Sequence, residues 1–321
     1  MMSVVLEVND LETHYYTSRG TVKAVHDVSF KLNKEEVLGI AGESGCGKST
    51  LGWSIMGMPP PPGRVVKGSV KVDGIDVLKL SDAERRRTVL WKKISMVFQG
   101  AINAFNPVYT IGDQLAEPLI IHENYTKKEA IEKVKEYLKM VGLNPDVVKR
   151  YPHELSGGMK QRAVIAMALI LEPTVFIADE PTTALDVVVQ AQILNLMKEL
   201  KKEKKLSFIL ITHDMSVIAE LADKVAIMYA GEIVELGTSE QIFLNPMHPY
   251  TQALLRSIPR LKGDIKKLEY IPGEPPNLIF PLKGCPFNPR CTKAMDICTK
   301  ERPHFVEVEK DHYVKCWLYE K

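Results

Sequence analysis

No apolar run in the 321-residue sequence is long enough to cross a bilayer. The longest, Ala163–Leu171, has nine residues, against about 18 for a spanning helix. The segment Met1–Asp10 has no basic stretch followed by an apolar one, so no signal peptide is read there. Charge of one sign is also missing. The 42 Lys+Arg and 40 Asp+Glu leave a net +2, which argues against a bulk binder of polyanions. Long repeats and low-complexity tracts are absent, and 45% hydrophobic with 26% charged residues exclude a disordered chain. Cysteine is nearly missing as far as residue 284, where Cys46 stands alone. Then Cys285, Cys291, Cys298 and Cys316 follow within 32 residues. A cytosolic location is expected, where structural disulfides are rare. Such a group then points to a metal more than to disulfides.

What is present reads as about two domains, at roughly 150 residues each. Val4–Val8, Val25–Leu32 and Glu36–Ala41 are strand candidates. A glycine-rich turn, Gly42–Gly47, leads to a helix expected over 48–58 and stopped by the Pro59–Pro62 run. Strands are expected at Gly68–Val72 and Ile94–Phe98. Thr126 and Glu129 have capping-box spacing, and Ala130, Ile131, Val134, Tyr137, Leu138 and Val141 recur at helical period before Gly142. Residues 103–170 therefore read as a mostly helical insert. Strand Thr174–Ala178, helix Val188–Lys202 and strand Phe208–Thr212 then alternate, which implies a parallel α/β sheet. Val225–Tyr229 and Gly231–Leu236 read as a hairpin, and a boundary falls near 240–246, where prolines and cysteines become dense.

Three motifs carry chemistry. Gly42-Glu-Ser-Gly-Cys-Gly-Lys48-Ser49 fits a phosphate-binding loop lying between a strand and a helix. Its glycines let backbone N–H groups turn toward phosphate oxygens, and the helix start adds positive potential. Lys48 suits β- and γ-phosphate oxygens, and Ser49 suits Mg²⁺. The strand Thr174–Ala178 ends in Asp179-Glu180. Asp179 is placed for Mg²⁺ and Glu180 for orienting or deprotonating an attacking water. Leu155-Ser156-Gly157-Gly158-Met159-Lys160-Gln161 precedes a helical stretch, and its serine and bare N–H groups make a second anion site. Two phosphate-recognition turns with one lysine-bearing loop suggest a head-to-tail pair, each copy covering the other's nucleotide.

In that order the three motifs resemble the ATP-binding-cassette ATPases over about residues 4–245. The resemblance implies an ATP site formed by Tyr15, Gly42, Ser44, Gly45, Cys46, Gly47, Lys48, Ser49, Thr50 and Gln99. Tyr15 would stack on adenine. Gln99 would sense the γ-phosphate and join Ser49 and Asp179 on Mg²⁺. Ser156, Gly157, Gly158 and Gln161 would reach the opposite nucleotide. Asp186, in Ala184-Leu185-Asp186, would communicate across the dimer, and His213 would contact the γ-phosphate. Lys48, Gln99, Glu180 and His213 are the expected catalytic residues. Cys46 replaces the serine common in related loops. Gly100-Ala101 replaces an acidic residue and proline after Gln99, which leaves the local contact to the membrane partner less defined.

Asn106–Gly112, Tyr151-Pro152-His153-Glu154, Asn245–Thr251, Ile271–Pro276 and Gly284–Cys291 narrow the resemblance to the dipeptide/oligopeptide importer ATPases. Nickel importers share much of the pattern, so both substrates stay open. The implied fold is a mixed-sheet α/β core with a phosphate loop, over 1–102 and 172–245 (RecA-like plus an antiparallel β subdomain). A helical signature subdomain would occupy 103–171, and a small cysteine-rich extension 246–321. The cysteine spacing, C-x5-C-x6-C-x17-C, matches neither paired zinc hairpins nor the short ferredoxin run. By spacing alone Zn²⁺, an iron–sulfur cluster and free or oxidised thiols all remain. The resemblance favours a [4Fe–4S] cluster on Cys285, Cys291, Cys298 and Cys316. Implied partners are a second, paralogous ATPase, two transmembrane permeases and, indirectly, an extracytoplasmic peptide-binding protein, with no nucleic acid. The implied place is the cytoplasmic face of the membrane. The rival reading, a soluble cassette ATPase of DNA repair or translation, lacks the long coiled-coil insertion or second cassette common there.

Overall fold

A computed structural model describes residues 3–183, 185–257, 271–280 and 283–320. Ala184 and residues 258–270, on which parts of the sequence reading fall, lie outside the described residues. In chain order the elements are β1 (Val4–Thr17), β2 (Gly20–Asn33), β3 (Val37–Ala41), α1 (Lys48–Ile55), β4 (Gly63–Val72), β5 (Ile75–Asp76), α2 (Asp82–Thr88) and β6 (Ile94–Val97). Helices α3 (Ile111–Glu123), α4 (Lys127–Met140) and α5 (Gly157–Leu169) follow. Next are β7 (Val175–Asp179), α6 (Val187–Lys204), β8 (Ser207–Ile211), α7 (Met215–Leu221), β9 (Lys224–Tyr229) and β10 (Glu232–Thr238). The chain continues through α8 (Ser239–Leu244), α9 (Pro249–Arg256), α10 (Asp296–Lys300), β11 (Phe305–Glu309) and β12 (His312–Lys315). It forms two compact units, and the path changes unit inside β1, β2, β4 and β8.

The first unit takes the start of β1 through Leu6, Leu32–Glu35 and Lys71–Ile209. Its helices begin where the sequence offers caps. Thr126 Oγ1 accepts from Glu129 N–H, and the Glu129 carboxylate answers on the Thr126 backbone. Behind that box Ala130, Val134, Tyr137 and Leu138 form the buried face of α4. Gly142, at φ 73, follows the helix as expected. Strand β7 is buried throughout, a run with no solvent face, and pairs in parallel with β6 from Ile94↔Val175 to Val97↔Ala178. Helices α3 to α5 fall in the stretch expected to be mostly helical, and β7 falls on the expected apolar strand.

The second unit takes Glu7–Lys31, Glu36–Val70 and the chain from Leu210 on. Strand β3 is wholly buried and pairs in parallel with β9, from Leu38↔Lys224 to Ala41↔Ile227. Beyond β9 the sheet is antiparallel, in the order β9, β10, β12, β11. The β11–β12 hairpin was not read from the sequence. Its five- and four-residue strands are half polar and sit amid proline and cysteine, so neither shows a clean period. Helix α1 is also shorter than the expected 48–58. Gly57 at φ 69 closes it, with Gly57 N–H donating to Ser54 O and Met58 N–H to Trp53 O. That left-handed cap ends the helix before the prolines are reached.

The Asn245–Thr251 motif folds around a buried carboxylate. Glu235, on β10, accepts the N–H groups of Met247 (2.7 Å) and His248 (2.9 Å), and His312 Nε2 on β12 lies 2.8 Å from it. Glu235 and His312 are both fully buried. Burial pulls the His248 imidazole down to about 4, against an opposing pull from Glu235. The ring is thereby neutral, and its Nδ1 accepts the Tyr250 N–H at 3.0 Å. A second buried carboxylate, Glu232, is held by Lys315 Nζ (2.9 Å) and by Arg302. Paired groups of this kind lose heavily when one member is removed. Glu235→Ala should therefore lower stability by about 3 kcal/mol, read as a lower urea midpoint at unchanged slope.

Candidate functional site

The second unit holds the lysine-bearing loop. Strand β3 delivers Gly42 directly, and α1 starts at Lys48 with Gly47 as its cap residue at φ 107. Space forbids a side chain at two of the loop glycines. A Cβ on Gly42 would lie 2.1 Å from Met228 O, and one on Gly47 2.2 Å from Ala24 O. At Gly45, φ +78 with open space around it, only the backbone conformation asks for glycine. The Lys48 side chain is buried back into this turn. Its Nζ donates to Gly42 O at 2.8 Å and Glu43 O at 3.0 Å and lies 3.9 Å from Cys46 Sγ. An ammonium solvated by loop carbonyls can exchange them for anionic oxygens without crossing bulk water. Cys46 is buried, and that burial raises its thiol pKa.

Tyr15, on β1, stands beside this loop. Its hydroxyl is 3.5 Å from Thr50 Oγ1 on α1. Tyr16 is 49% exposed and meets His14 edge to face at 6.5 Å. The two neighbours therefore occupy different surroundings, and Tyr15 is the one held against α1. His213 lies exposed in the turn between β8 and α7, where Asp214 caps α7 through the N–H groups of Ser216 and Val217.

The loop is gripped from residues that the sequence reading left without a role. Glu43 N–H donates to Tyr250 Oη at 2.9 Å. Its carboxylate receives Arg290 through both terminal nitrogens, at 2.6 and 2.9 Å. In the sequence Arg290 and Tyr250 were legible only as parts of branch-specific motifs. Nothing local signals that they meet a loop more than 200 positions earlier.

The first unit holds the acidic strand end. Asp179 is buried at the end of β7. Glu180 follows at φ 48, a left-handed conformation rare outside glycine and asparagine. Gln99 Nε2 donates to Glu180 Oε2 at 3.0 Å, and Thr183 Oγ1 donates to the same oxygen at 2.9 Å. Two expected site residues far apart in sequence are thus brought into one hydrogen bond. Strained backbone at a carboxylate held by a glutamine is the sort of feature that accumulates at reactive sites.

Ser156 caps α5, accepting from Met159 N–H at 3.3 Å, with Gly157 and Gly158 in the first turn and Gln161 buried. A Cβ at Gly158 would come 2.6 Å from Val189 Cγ1, so this glycine admits α6 closely. Asp186 caps α6 through Val189 N–H at 2.9 Å. The first unit's cavity of about 600 Å³ lies elsewhere, among Asp73, Tyr137, Glu172 and Ser207, and none of these expected residues lines it.

Cys285, Cys291, Cys298 and Cys316 line one small pocket of the second unit. Burial, with a smaller contribution from the neighbouring cysteines, raises Cys285 and Cys316 to about 11. Lys293 N–H points to Cys291 Sγ at 3.4 Å and Met295 N–H to Cys298 Sγ at 3.5 Å. Among the described residues no three His, Cys, Asp or Glu side chains converge as a site for a metal ion.

The chain matches the ABC transporter family over residues 25–183 and the C-terminal region of the oligopeptide/dipeptide transporters over 234–298. It is 48% identical to the dipeptide transport ATP-binding protein of Bacillus subtilis, across all of this chain and 96% of that protein. Identity to the oligopeptide transport ATP-binding protein of Salmonella typhimurium is 47%, across 94% and 90%. A dimeric ATP-binding cassette solved in a post-hydrolysis state with ADP and Pi matches with a TM-score of 0.65 and 28% identity. That match covers 73% of this chain and 98% of the cassette. The cbiO1 subunit of a Clostridium perfringens ABC transporter complex matches with a TM-score of 0.65 and 27% identity, across 76% and 92%.

The loop geometry separates three substitutions. Gly45→Ala should lower stability by about 1 kcal/mol, the cost of the left-handed backbone alone. Gly42→Ala and Gly47→Ala, which also drive a methyl into a backbone oxygen, should each lose about 3 kcal/mol or more. Urea unfolding of the three variants reads the difference.

Proposed function

The chain belongs to the ABC transporter family, in its oligopeptide/dipeptide branch, and from that premise we propose that it is the ATP-hydrolysing subunit of a peptide importer. The observation that carries the hydrolytic part is Glu180, in a left-handed backbone just past a buried strand, with its carboxylate held by Gln99 and Thr183. The C-terminal match supports peptide cargo, and the named relatives favour it over nickel or a soluble role.

In this reading Lys48 exchanges the Gly42 and Glu43 carbonyls for β- and γ-phosphate oxygens. The N–H groups of Ser44, Gly45, Cys46, Gly47, Ser49 and Thr50 surround the phosphates, and Tyr15 offers its ring to adenine. Ser49, Gln99 and Asp179 present only oxygen donors, a set that suits the hard ion Mg²⁺. Mg²⁺, when bound, supplies neutralisation of phosphate charge. Glu180 orients or deprotonates the attacking water, and His213 holds the γ-phosphate. Ser156, Gly157, Gly158 and Gln161 cover the nucleotide of the opposing ATPase, and Asp186 carries the signal between the two. The opposing ATPase is a paralogue. Two permeases supply the membrane path, a peptide-binding protein delivers cargo outside, and this chain sits on the cytoplasmic face. The division into a core (1–102 and 172–245), a signature subdomain (103–171) and an extension (246–321) belongs to the same reading.

The four cysteines are proposed to carry a [4Fe–4S] cluster. The support is the chemistry of four soft donors lining one pocket and the amide N–H groups directed at two sulfurs; among the described residues no three of these side chains converge as a metal site as they stand. Thiols raised by burial must give up protons on loading, so incorporation would weaken with falling pH.

Glu180→Gln should keep ATP binding and lower hydrolysis by about 100-fold or more, measured on the assembled transporter. Unchanged turnover removes Glu180 from its role. In a strain deleted for this chain, labelled dipeptide or longer peptide should enter only when wild type is restored, and not with Lys48→Ala. Uptake of nickel alone would redirect the substrate. Anaerobic purification should yield about four iron and four sulfide per chain, with iron lost in Cys→Ser variants. Stoichiometric zinc without iron would remove the cluster.

A further inference from the structure

The phosphate loop is braced by the segment that follows the cassette's own strands. Arg290 is 7% exposed, and its guanidinium is engaged on every edge. Nη1 donates to Glu43 Oε2 (2.6 Å) and Tyr229 Oη (3.2 Å), and Nη2 to Glu43 Oε1 (2.9 Å) and Ile271 O (3.4 Å). Nε donates to Pro272 O at 2.8 Å, and the cation lies 5.7 Å from the centre of the Tyr229 ring. Glu43 in turn is tied at each of its polar groups. Its carboxylate meets Arg290, its N–H meets Tyr250 Oη, and its carbonyl receives Lys48 Nζ at 3.0 Å. The chain of bonds from Arg290 to the loop's ammonium is therefore one residue long.

A bidentate pair this buried contributes little net stability, because desolvation offsets most of the attraction. What it does supply is geometry, since the planar fork accepts one orientation of the carboxylate. Arg290 and Tyr250 both lie outside the segment that matches the general ABC transporter family and inside the peptide-branch segment. The solved cassette that matches 73% of this chain is itself covered to 98%, so the cassette fold as such extends over only part of this chain.

We propose that Arg290 is a positioning residue for nucleotide binding: with the Tyr250 hydroxyl, it holds Glu43 so that the phosphate loop is shaped for ATP before ATP arrives. The peptide-branch segment is then part of the ATP site, not an appendage to it. The proposal rests on the reading that this loop binds ATP, and the experiment separates the two.

Full-length wild type, Arg290→Met, Glu43→Gln, the double variant, Tyr250→Phe and Lys48→Ala are titrated with the fluorescent analogue mant-ATP and Mg²⁺. ATPase kinetics are measured in the assembled transporter, and urea midpoints are recorded for all. Wild type should bind mant-ATP and Lys48→Ala should not. If wild type does not bind, the ATP reading fails, and the brace fails with it. Arg290→Met and Glu43→Gln should each weaken binding about tenfold, the double variant no further, and Tyr250→Phe several-fold. KM for ATP should rise while kcat stays within about twofold, because the brace acts before chemistry. Glu43→Gln and Tyr250→Phe keep the fold testable if Arg290→Met does not fold. Binding equal to wild type in these variants, with only the urea midpoint lowered, or additive losses in the double variant, would overturn the proposal while leaving the ATP reading intact.

Discussion

An ammonium group kept from water by the carbonyls of its own loop is the constraint from which the second unit is built. A buried ammonium needs hydrogen-bond partners, and Gly42 O and Glu43 O supply them. In the proposed role Lys48 exchanges these carbonyls for an anion. That arrangement needs a turn with no Cβ at Gly42 or Gly47, a buried strand to deliver it and a helix to start at Lys48. The parallel pairing of β3 with β9 follows, because β9 is the strand whose Met228 carbonyl occupies the space a side chain on Gly42 would take.

The same logic of stored geometry governs the acidic strand end of the first unit. Strand β7 is buried along its length, so its final carboxylates emerge from a rigid platform. Glu180 occupies a backbone conformation of about 1 kcal/mol or more above the ordinary one. Hydrogen bonds from Gln99 and Thr183 to one oxygen fix its direction. In the proposed role, a carboxylate aimed in advance needs no reorganisation when a water is presented to it.

The loop, the acidic strand and the α5 cap were legible because each is local. A strand, a turn and a helix start follow one another within about a dozen residues, and glycine, lysine and caps leave direct traces. The Thr126–Glu129 capping box was legible for the same reason, and the structure forms it bond for bond. Long-range partners were not. Arg290 reaches Glu43 across 247 positions and Lys315 reaches Asp27 across 288, and no periodicity records either pairing. Strands β1 and β2, at 14 residues each, exceeded the apolar stretches expected at Val4–Val8 and Val25–Leu32. Their polar residues alternate toward solvent and hide the strand from a search for apolar runs.

The region after Asn245 reads, in sequence, as a small extension dense in proline and cysteine. In the folded chain much of its attachment is made by ordinary protein groups. Strand β12 adds to β10 at Glu235↔Val314 and Leu236↔Tyr313, and its His312 meets the Glu235 carboxylate that also collects the Met247 and His248 amides. Phe287 closes an aromatic cluster with Tyr229 and Tyr250, at 5.2 and 5.3 Å between ring centres. Tyr229 thereby lies between that cluster and Arg290, and Tyr250 between it and the Glu43 amide. Phe287 also lines the cysteine pocket, so one aromatic ring is shared between that pocket and the group that includes Tyr229 and Tyr250. The segment that carries the cysteines is therefore fastened to the sheet by β12, Glu235 and these rings, whatever the cysteines themselves do.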